Sequence, residues 1–535
     1  MFAELNNLKF KIFLIPRYNN ETPCPSPREI NGRRVRFNPL DLRSPPTFMK
    51  LFATFSSLYI ATLFMLFGNG LLTTYLALDL GQKEVSELLI SSLTTAYYAG
   101  LVIGAKFGHK LIARVGHIRS YVAASGVTAA AVLMIALIDY IPFWIAIRFI
   151  TGLVMMCQYM VIESWLNDQA EPENRGRVFA FYMAATYLGM MLGQLVFLLF
   201  DTIDVRILMI VSIFFSLCLI PLAVTRAIHP TPLKAAPLQI FHFIRQIPQV
   251  LIITAVAGML TGSFYGLGPL FASRMELGTQ EAGVYMALCI GAAFIIQWPL
   301  GYLSDRVNRL RLITFISVLI AGLTLAMNLP ILHIPLPVYL ILFLGIVAAS
   351  LLFTLYPLSV AIANDNVSAE ERGSLSAILL VLFGIGAGIG PLIASYFMQR
   401  FGGTGLYLFF FFGAFSVIGL NLLKASRRLE KAPEEALPHV IMPDGHTSPI
   451  SAALDPRIDE DTVKEYMENE EAQQIKEVLL GEIEEAQIEK EKRKPERYPL
   501  VPIAEAYRYD RFVKSVIDAS RLEELPENDQ YLNVK

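Results

Sequence analysis

The sequence predicts an all-α membrane protein: twelve transmembrane helices in two pseudo-symmetric six-helix bundles, with a cytoplasmic helical tail. Three observations carry this. Of 535 residues, 54% are hydrophobic and only 17% charged, with a mean hydropathy of +0.50, whereas soluble globular chains carry ~25% charged residues. Apolar runs long enough to cross ~30 Å of hydrocarbon recur along the chain. Paired landmarks in the two halves recur at one drifting offset, the mark of a parallel-repeat architecture.

The runs lie at about 51–78, 88–108, 119–138, 141–166, 177–200 and 205–226, and then at 248–272, 282–303, 311–330, 336–363, 373–398 and 404–426. Their continuity excludes the alternating pattern of barrel strands. The expected organisation is a basic extension over 1–50, a first bundle over 51–226, a linker over 227–247, a second bundle over 248–426 and an acidic tail over 427–535. The net charge of -2 hides three unlike regions. The first 50 residues hold 9 basic and 4 acidic side chains, and the last 109 hold 16 and 26. Met49 precedes the first run, so an upstream-start reading of residues 1–48 stands beside a translated extension.

Arg175-Gly176 recurs as Arg372-Gly373 and Gly193-Gln194 as Gly390-Pro391, both at an offset of 197; Gly68 and Gly262 are 194 apart. With the N-terminus inside, twelve basic residues fall in inner loops and flanks, among them Arg114, Arg175, Arg306, Arg309 and Arg372. Four fall outside: Lys83, Arg206, Arg274 and Arg400. Positive charge concentrates on the cytoplasmic side, so both termini and the linker are expected there. In the tail, 459–494 and the stretch around Phe512 to Ile517 read as amphipathic helices, a solvated appendage or a regulatory element whose partner is unknown.

Soluble chemistry leaves no trace. The four cysteines have neither redox nor metal spacing. There is no Walker lysine, zinc-protease pair or nucleophile elbow, and the run Gly384-Ile-Gly386-Ala-Gly388-Ile-Gly390 lies within an apolar helix, where small residues let helices pack closely. No enzyme activity, metal, cofactor or nucleic-acid partner is expected. The expected partners are the bilayer and a small-molecule solute.

Ionisable residues inside apolar runs are expensive and point to function. Two stand out, Arg148 in Arg148-Phe-Ile-Thr-Gly152 and Glu163 in the same run. Polar or aromatic residues near run midpoints line any central cavity: Asn69, Tyr97, Tyr98, Gln158, Tyr159, Gln194, Tyr265, Gln297 and Tyr356. Each also has an ordinary reading as an interhelical hydrogen-bonding residue. Between the eighth and ninth runs stands Gly301-Tyr-Leu-Ser-Asp305-Arg306-Val-Asn308-Arg309-Leu-Arg311. The matching first-half turn keeps Arg114, Gly116 and Arg119 but has Ala113 in place of the aspartate. Acidic and arginine clusters flank the fifth and eleventh runs, Glu171, Glu173 and Arg175 in one, Glu370, Glu371 and Arg372 in the other. Such partners form a latch if they meet across the bundles, or solvated surface pairs if they do not.

The 301–311 loop closely resembles the loop signature of the major facilitator superfamily, with Asn308 where a second glycine is usual. Arg148 to Gly152 resembles its second motif, and Val161 to Gln194 together with Gln297-Trp298-Pro299-Leu300-Gly301 resemble the YcaD-like branch. The resemblance covers 51–426. It implies solute transport by alternating access across a cell inner membrane and links the position of Arg148 to proton transfer; with Glu163, the other embedded charge, Arg148 is expected to carry proton coupling. An uncoupled facilitator, or a transporter-like receptor signalling through the tail, are the alternatives.

Overall fold

The computed structural model describes residues 47–170, 174–224, 240–367, 371–425 and 446–448. The chain divides into two units, Met1–Ser56 and Ser57–Lys535, and the second holds the helical bundle. Among the described residues, twelve helices are long and apolar enough to cross a membrane. They are α1 Phe55–Gln82, α2 Glu87–Val115, α3 His117–Leu137, α4 Ile141–Asn167, α5 Arg175–Leu199 and α6 Arg206–Ala223, then α7 Pro248–Arg274, α8 Thr279–Ser304, α9 Arg309–Met327, α10 Val338–Asp365, α11 Ser374–Phe401 and α12 Gly405–Leu423. All lie within a few residues of the apolar runs, because the same ~20-residue length requirement sets both. Among the described residues there is no strand, as expected where every backbone group must be satisfied without water.

Three spans are not uniform α-helix. α5 tightens into a 3-10 turn at Leu195–Leu199, α6 breaks after Leu217, and α10 breaks between Leu352 and Leu355. The expected linker contains a short helix, Ile240–Gln246; its residues 227–239 lie outside the described residues, as do Glu171, Glu173, Glu370 and both tail helices.

Apolar side chains cover the outside as well as the core. Leu137, Leu199, Ile295, Trp298 and Leu423 are all more than two-thirds exposed, an arrangement that suits a hydrocarbon solvent and not water.

The internal repeat has a packing counterpart. A Cβ on Gly189 or Gly193 in α5 would strike the carbonyls of Leu63 and Phe67 in α1. A Cβ on Gly386 or Gly390 in α11 would strike those of Ala255 and Met259 in α7. The same small-residue seam therefore joins the first and fifth helix of each half, backbone against backbone. The halves meet through α2 against α11, where the Thr95 hydroxyl donates to the Gly388 carbonyl at 2.7 Å, and through α5 against α8, where Gln297 Nε2 donates to the Tyr187 hydroxyl.

Helices alternate in direction, so odd-numbered spans begin and even-numbered spans finish at one end, which carries Arg175, Arg306, Arg309, Arg311 and Arg372. At the opposite end two polar contacts bridge the halves: Arg274 to Glu87 at 2.7 Å and Gln280 to Asp201 at 2.8 Å.

Candidate functional site

A small cavity lies between α1, α2, α4, α5, α7 and α8. Its walls bring together Asn69, Tyr97, Tyr98, Arg148, Gln194 and Tyr265 with Thr73, Thr74, Thr94, Met190 and Ile290. Arg148 is the one charged group among them. Its Nη2 donates to the Thr73 hydroxyl at 3.3 Å, and its guanidinium stands 4.4 Å from the centre of the Tyr97 ring. Nε and Nη1 are buried with no hydrogen-bond partner among the described residues. A buried charge with donors left over is costly, and an acceptor entering the cavity relieves that cost.

Four of the nine residues expected at the cavity do not line it. Gln158 donates to Thr128 in α3 at 3.4 Å, Gln297 to Tyr187, and the Tyr356 ring packs 4.6 Å from that of Phe383. Tyr159 lies just beside the cavity, 3.2 Å from His446 Nδ1. Midspan polarity identified residues that avoid lipid; helix rotation decided which of them met neighbouring helices and which met the void. Thr73, Thr74, Thr94 and His446 were missed. The threonines carry no signal, since a threonine in such a helix ordinarily bonds its own backbone, as Thr73 does to Asn69.

Glu163 is fully buried nearer the arginine-rich end. The Tyr182 hydroxyl donates to its Oε1 at 3.0 Å, and further donors come from Ser448. Fifteen residues along one helix separate it from Arg148, about 22 Å at 1.5 Å per residue. The two embedded charges therefore occupy separate sites and form no ion pair.

At the arginine-rich end Arg309 reaches Asp305 at 2.9 Å and Asp365 at 2.5 Å. Asn308, the departure from the usual glycine, has a local use: its side chain accepts from Leu310 N and Arg311 N at 3.0 and 3.1 Å and caps α9. Asp365 was missed, yet Asn364-Asp365 repeats Asn167-Asp168 at the same offset of 197. Arg306 does not join this network but lies over the Tyr302 ring at 3.8 Å. Gly301 closes the end of α8, accepting from Asp305 N. In the first half Arg114 is exposed, with Ala113 supplying no carboxylate. Gly116 has φ +86°, a conformation that favours glycine.

One ion pair of Glu371 runs to His242 of the short linker helix, at 2.9 Å. Arg175 begins α5 and Arg372 stands two residues before its repeat α11, Arg175 buried and Arg372 half-buried. Asp365→Ala is expected to cost about 1.5–3 kcal/mol, the value of a hydrogen bond to a charged group. The check is the thermal midpoint of purified protein in detergent; an unchanged midpoint would show the Arg309 network contributes nothing.

No cluster of three metal-ligating side chains occurs among the described residues. The sequence model of the Major Facilitator Superfamily matches residues 58–356 and 336–458. The MFS-type transporter YcaD of Escherichia fergusonii is 30% identical over 371 residues, 68% of this chain and 93% of its own. The MFS-type transporter Ent638_1421 of Enterobacter sp. strain 638 is 30% identical over 66% of this chain and 92% of its own. Among solved structures, the nucleoside transporter NupG aligns with a TM-score of 0.58 at 14% identity, over 70% of this chain and 99% of its own. A D-xylose-proton symporter aligns at 0.54 and 14%, over 69% and 97%.

Proposed function

The chain belongs to the Major Facilitator Superfamily and resembles its YcaD branch, and from that premise we propose that it is a proton-coupled secondary transporter of a small polar or amphiphilic solute bearing an anionic or acceptor group. The fold and family are those of membrane transport; the solute class and coupling are our reading. The observation that carries it is Arg148, buried in the cavity wall with two nitrogens unpartnered and aromatic rings around it. Such a guanidinium binds an oxyanion in a forked geometry, while Tyr97, Tyr98 and Tyr265 supply apolar faces with polar tips. Glu163 supports the coupling half. A buried carboxylate changes its hydrogen bonding when protonated, and alternating access needs a group whose state biases one arrangement. The concentration of arginines at the Asp305–Arg309 end supports a cytoplasmic orientation of that end, with both termini inside.

The test is transport in proteoliposomes across a metabolite panel, with a proton gradient imposed. The expected result is accumulation of an acidic or acceptor-rich metabolite against its gradient, abolished by an uncoupler. Glu163→Gln is expected to retain downhill exchange and lose accumulation, since an amide cannot take up and release the proton on which coupling depends. Accumulation indifferent to both the uncoupler and Glu163→Gln would remove protons from the mechanism; flux that only equilibrates would make the protein a facilitator.

A further inference from the structure

Glu163 is held from a distant part of the chain. The Ser448 backbone N–H lies 3.0 and 2.9 Å from its two carboxylate oxygens, and the Ser448 hydroxyl donates to Oε2. Two residues earlier, His446 places Nδ1 3.2 Å from the Tyr159 hydroxyl and its ring 5.4 Å from that of Tyr265, and it lines the same cavity as Arg148. His446, Thr447 and Ser448 are all buried, Ser448 completely. Buried polar groups are ordinarily hydrogen-bonded; here Glu163 meets the N–H and hydroxyl of Ser448 and Tyr159 meets His446 Nδ1, while His446 Nε2 is buried with no hydrogen-bond partner among the described residues. The chain length allows it. α12 finishes at the arginine-rich end, toward which Glu163 also lies. The twenty residues 426–445, at ~3.3–3.6 Å each when extended, span far more than the depth of one helical turn or two.

We infer that His446-Thr447-Ser448 is a built-in ligand of the central cavity, a peptide plug anchored on Glu163, so that tail and solute exclude one another. The regulatory consequence rests on the transport reading above. The seat itself is a binding site for a short peptide presenting a backbone N–H and a hydroxyl to a carboxylate. It gives a carboxylate deep in the bundle donors in addition to the Tyr182 hydroxyl. It also couples the plug to the group proposed to carry protons: protonating Glu163 takes away an acceptor that Ser448 uses.

The imidazole adds to the same response. Burial draws His446 down from 6.5 to about 4. The groups facing it or its neighbour are Tyr159, Arg148 and Glu163 from α4, Tyr97 and Tyr98 from α2, and Tyr265 from α7. Because the seated value is below the free one, the seat is complete above about 6.5 and weakens as pH falls from there toward 4.

The test uses the full chain. Thr447→Cys is a buried reporter, introduced with Cys24→Ser and read with a water-soluble maleimide against the Cys24→Ser parent, whose remaining Cys157, Cys218 and Cys289 are buried. Labelling should be slow, and Ser448→Pro, which removes both the N–H and the hydroxyl, should accelerate it at least about tenfold; Ser448→Thr, which keeps both, should not. Normalised to the unfolded chain at each pH, labelling should also rise as pH drops from 7 to 5. In the metabolite-panel assay, Ser448→Pro should raise the initial rate of the metabolite that moves, and Ser448→Thr should leave it unchanged. Fast labelling in the reporter chain, or no response to Ser448→Pro, would overturn the seat. A released tail with unchanged flux would overturn the exclusion of solute. If no panel metabolite moves in any variant, the transport reading fails while labelling still decides the seat.

Discussion

Gly152→Val is expected to leave almost no folded protein in the membrane, and the position of one hydrogen atom accounts for it. Gly152 in α4 faces the carbonyl of Tyr97 in α2, and any Cβ would fall inside the contact radius of that oxygen and close to Leu101 N. Gly100 of α2 faces the Phe149 carbonyl of α4 in the same way. The obstruction is backbone on both sides, so no rotamer change relieves it, and the helices themselves must separate. Ordinary overpacking costs ~1–3 kcal/mol; displacing a helix pair in a close-packed bundle should meet or exceed the upper figure. It would also carry Arg148 and Tyr97 out of register, since Tyr97 forms the contact and Arg148 sits one turn from it. The measurement is the monodisperse yield and thermal midpoint in detergent beside Gly126→Val, where a Cβ meets nothing within 4 Å. Equal yields for the two variants would mean the α2–α4 seam tolerates separation.

Arg148→Met is expected to give the opposite pattern, a protein that folds as well or better and does not transport. Methionine approximates the arginine stem in volume and removes a buried charge whose Nε and Nη1 lack partners, and replacing such charges by apolar groups is often neutral or stabilising. What it loses is the donor fork to which the proposed function assigns solute binding. A charge-assisted contact worth about 1.5–3 kcal/mol corresponds to roughly ten- to hundredfold in affinity. Arg148→Lys keeps the charge but not the fork, so partial retention is expected. The readout is uptake in proteoliposomes together with the thermal midpoint. Full uptake in Arg148→Met would remove the guanidinium from solute recognition.

The different outcomes expected at Gly152 and Arg148, four residues apart in one motif, show how far a motif can be read. Both residues stand out in the sequence, but whether each supports packing or function depends on what the neighbouring helix presents. The same holds at midspan. Asn69, Gln194 and Tyr265 line the cavity, while Gln158, Gln297 and Tyr356 are used between helices. All six are polar or aromatic residues in apolar runs, and periodicity cannot rank them, because spans buried on most sides have no sharply polar face. Asp365 was readable from the repeat that pairs it with Asp168; a longer comparison of the two halves finds it.

By itself the sequence determined the helical class, the twelve spans, the relation of the two halves and the superfamily. Each of these depends on local composition or on fixed spacing along the chain, which hydrocarbon thickness and backbone hydrogen bonding convert directly into structure. Only the tertiary structure decided which polar residues share the cavity, that Arg148 and Glu163 serve separate sites, and that Ser448 closes on Glu163 across 285 residues of sequence. Those outcomes depend on the rotation of each helix about its axis and on a contact between distant segments. Hydropathy, which sums over a window and discards direction, carries neither.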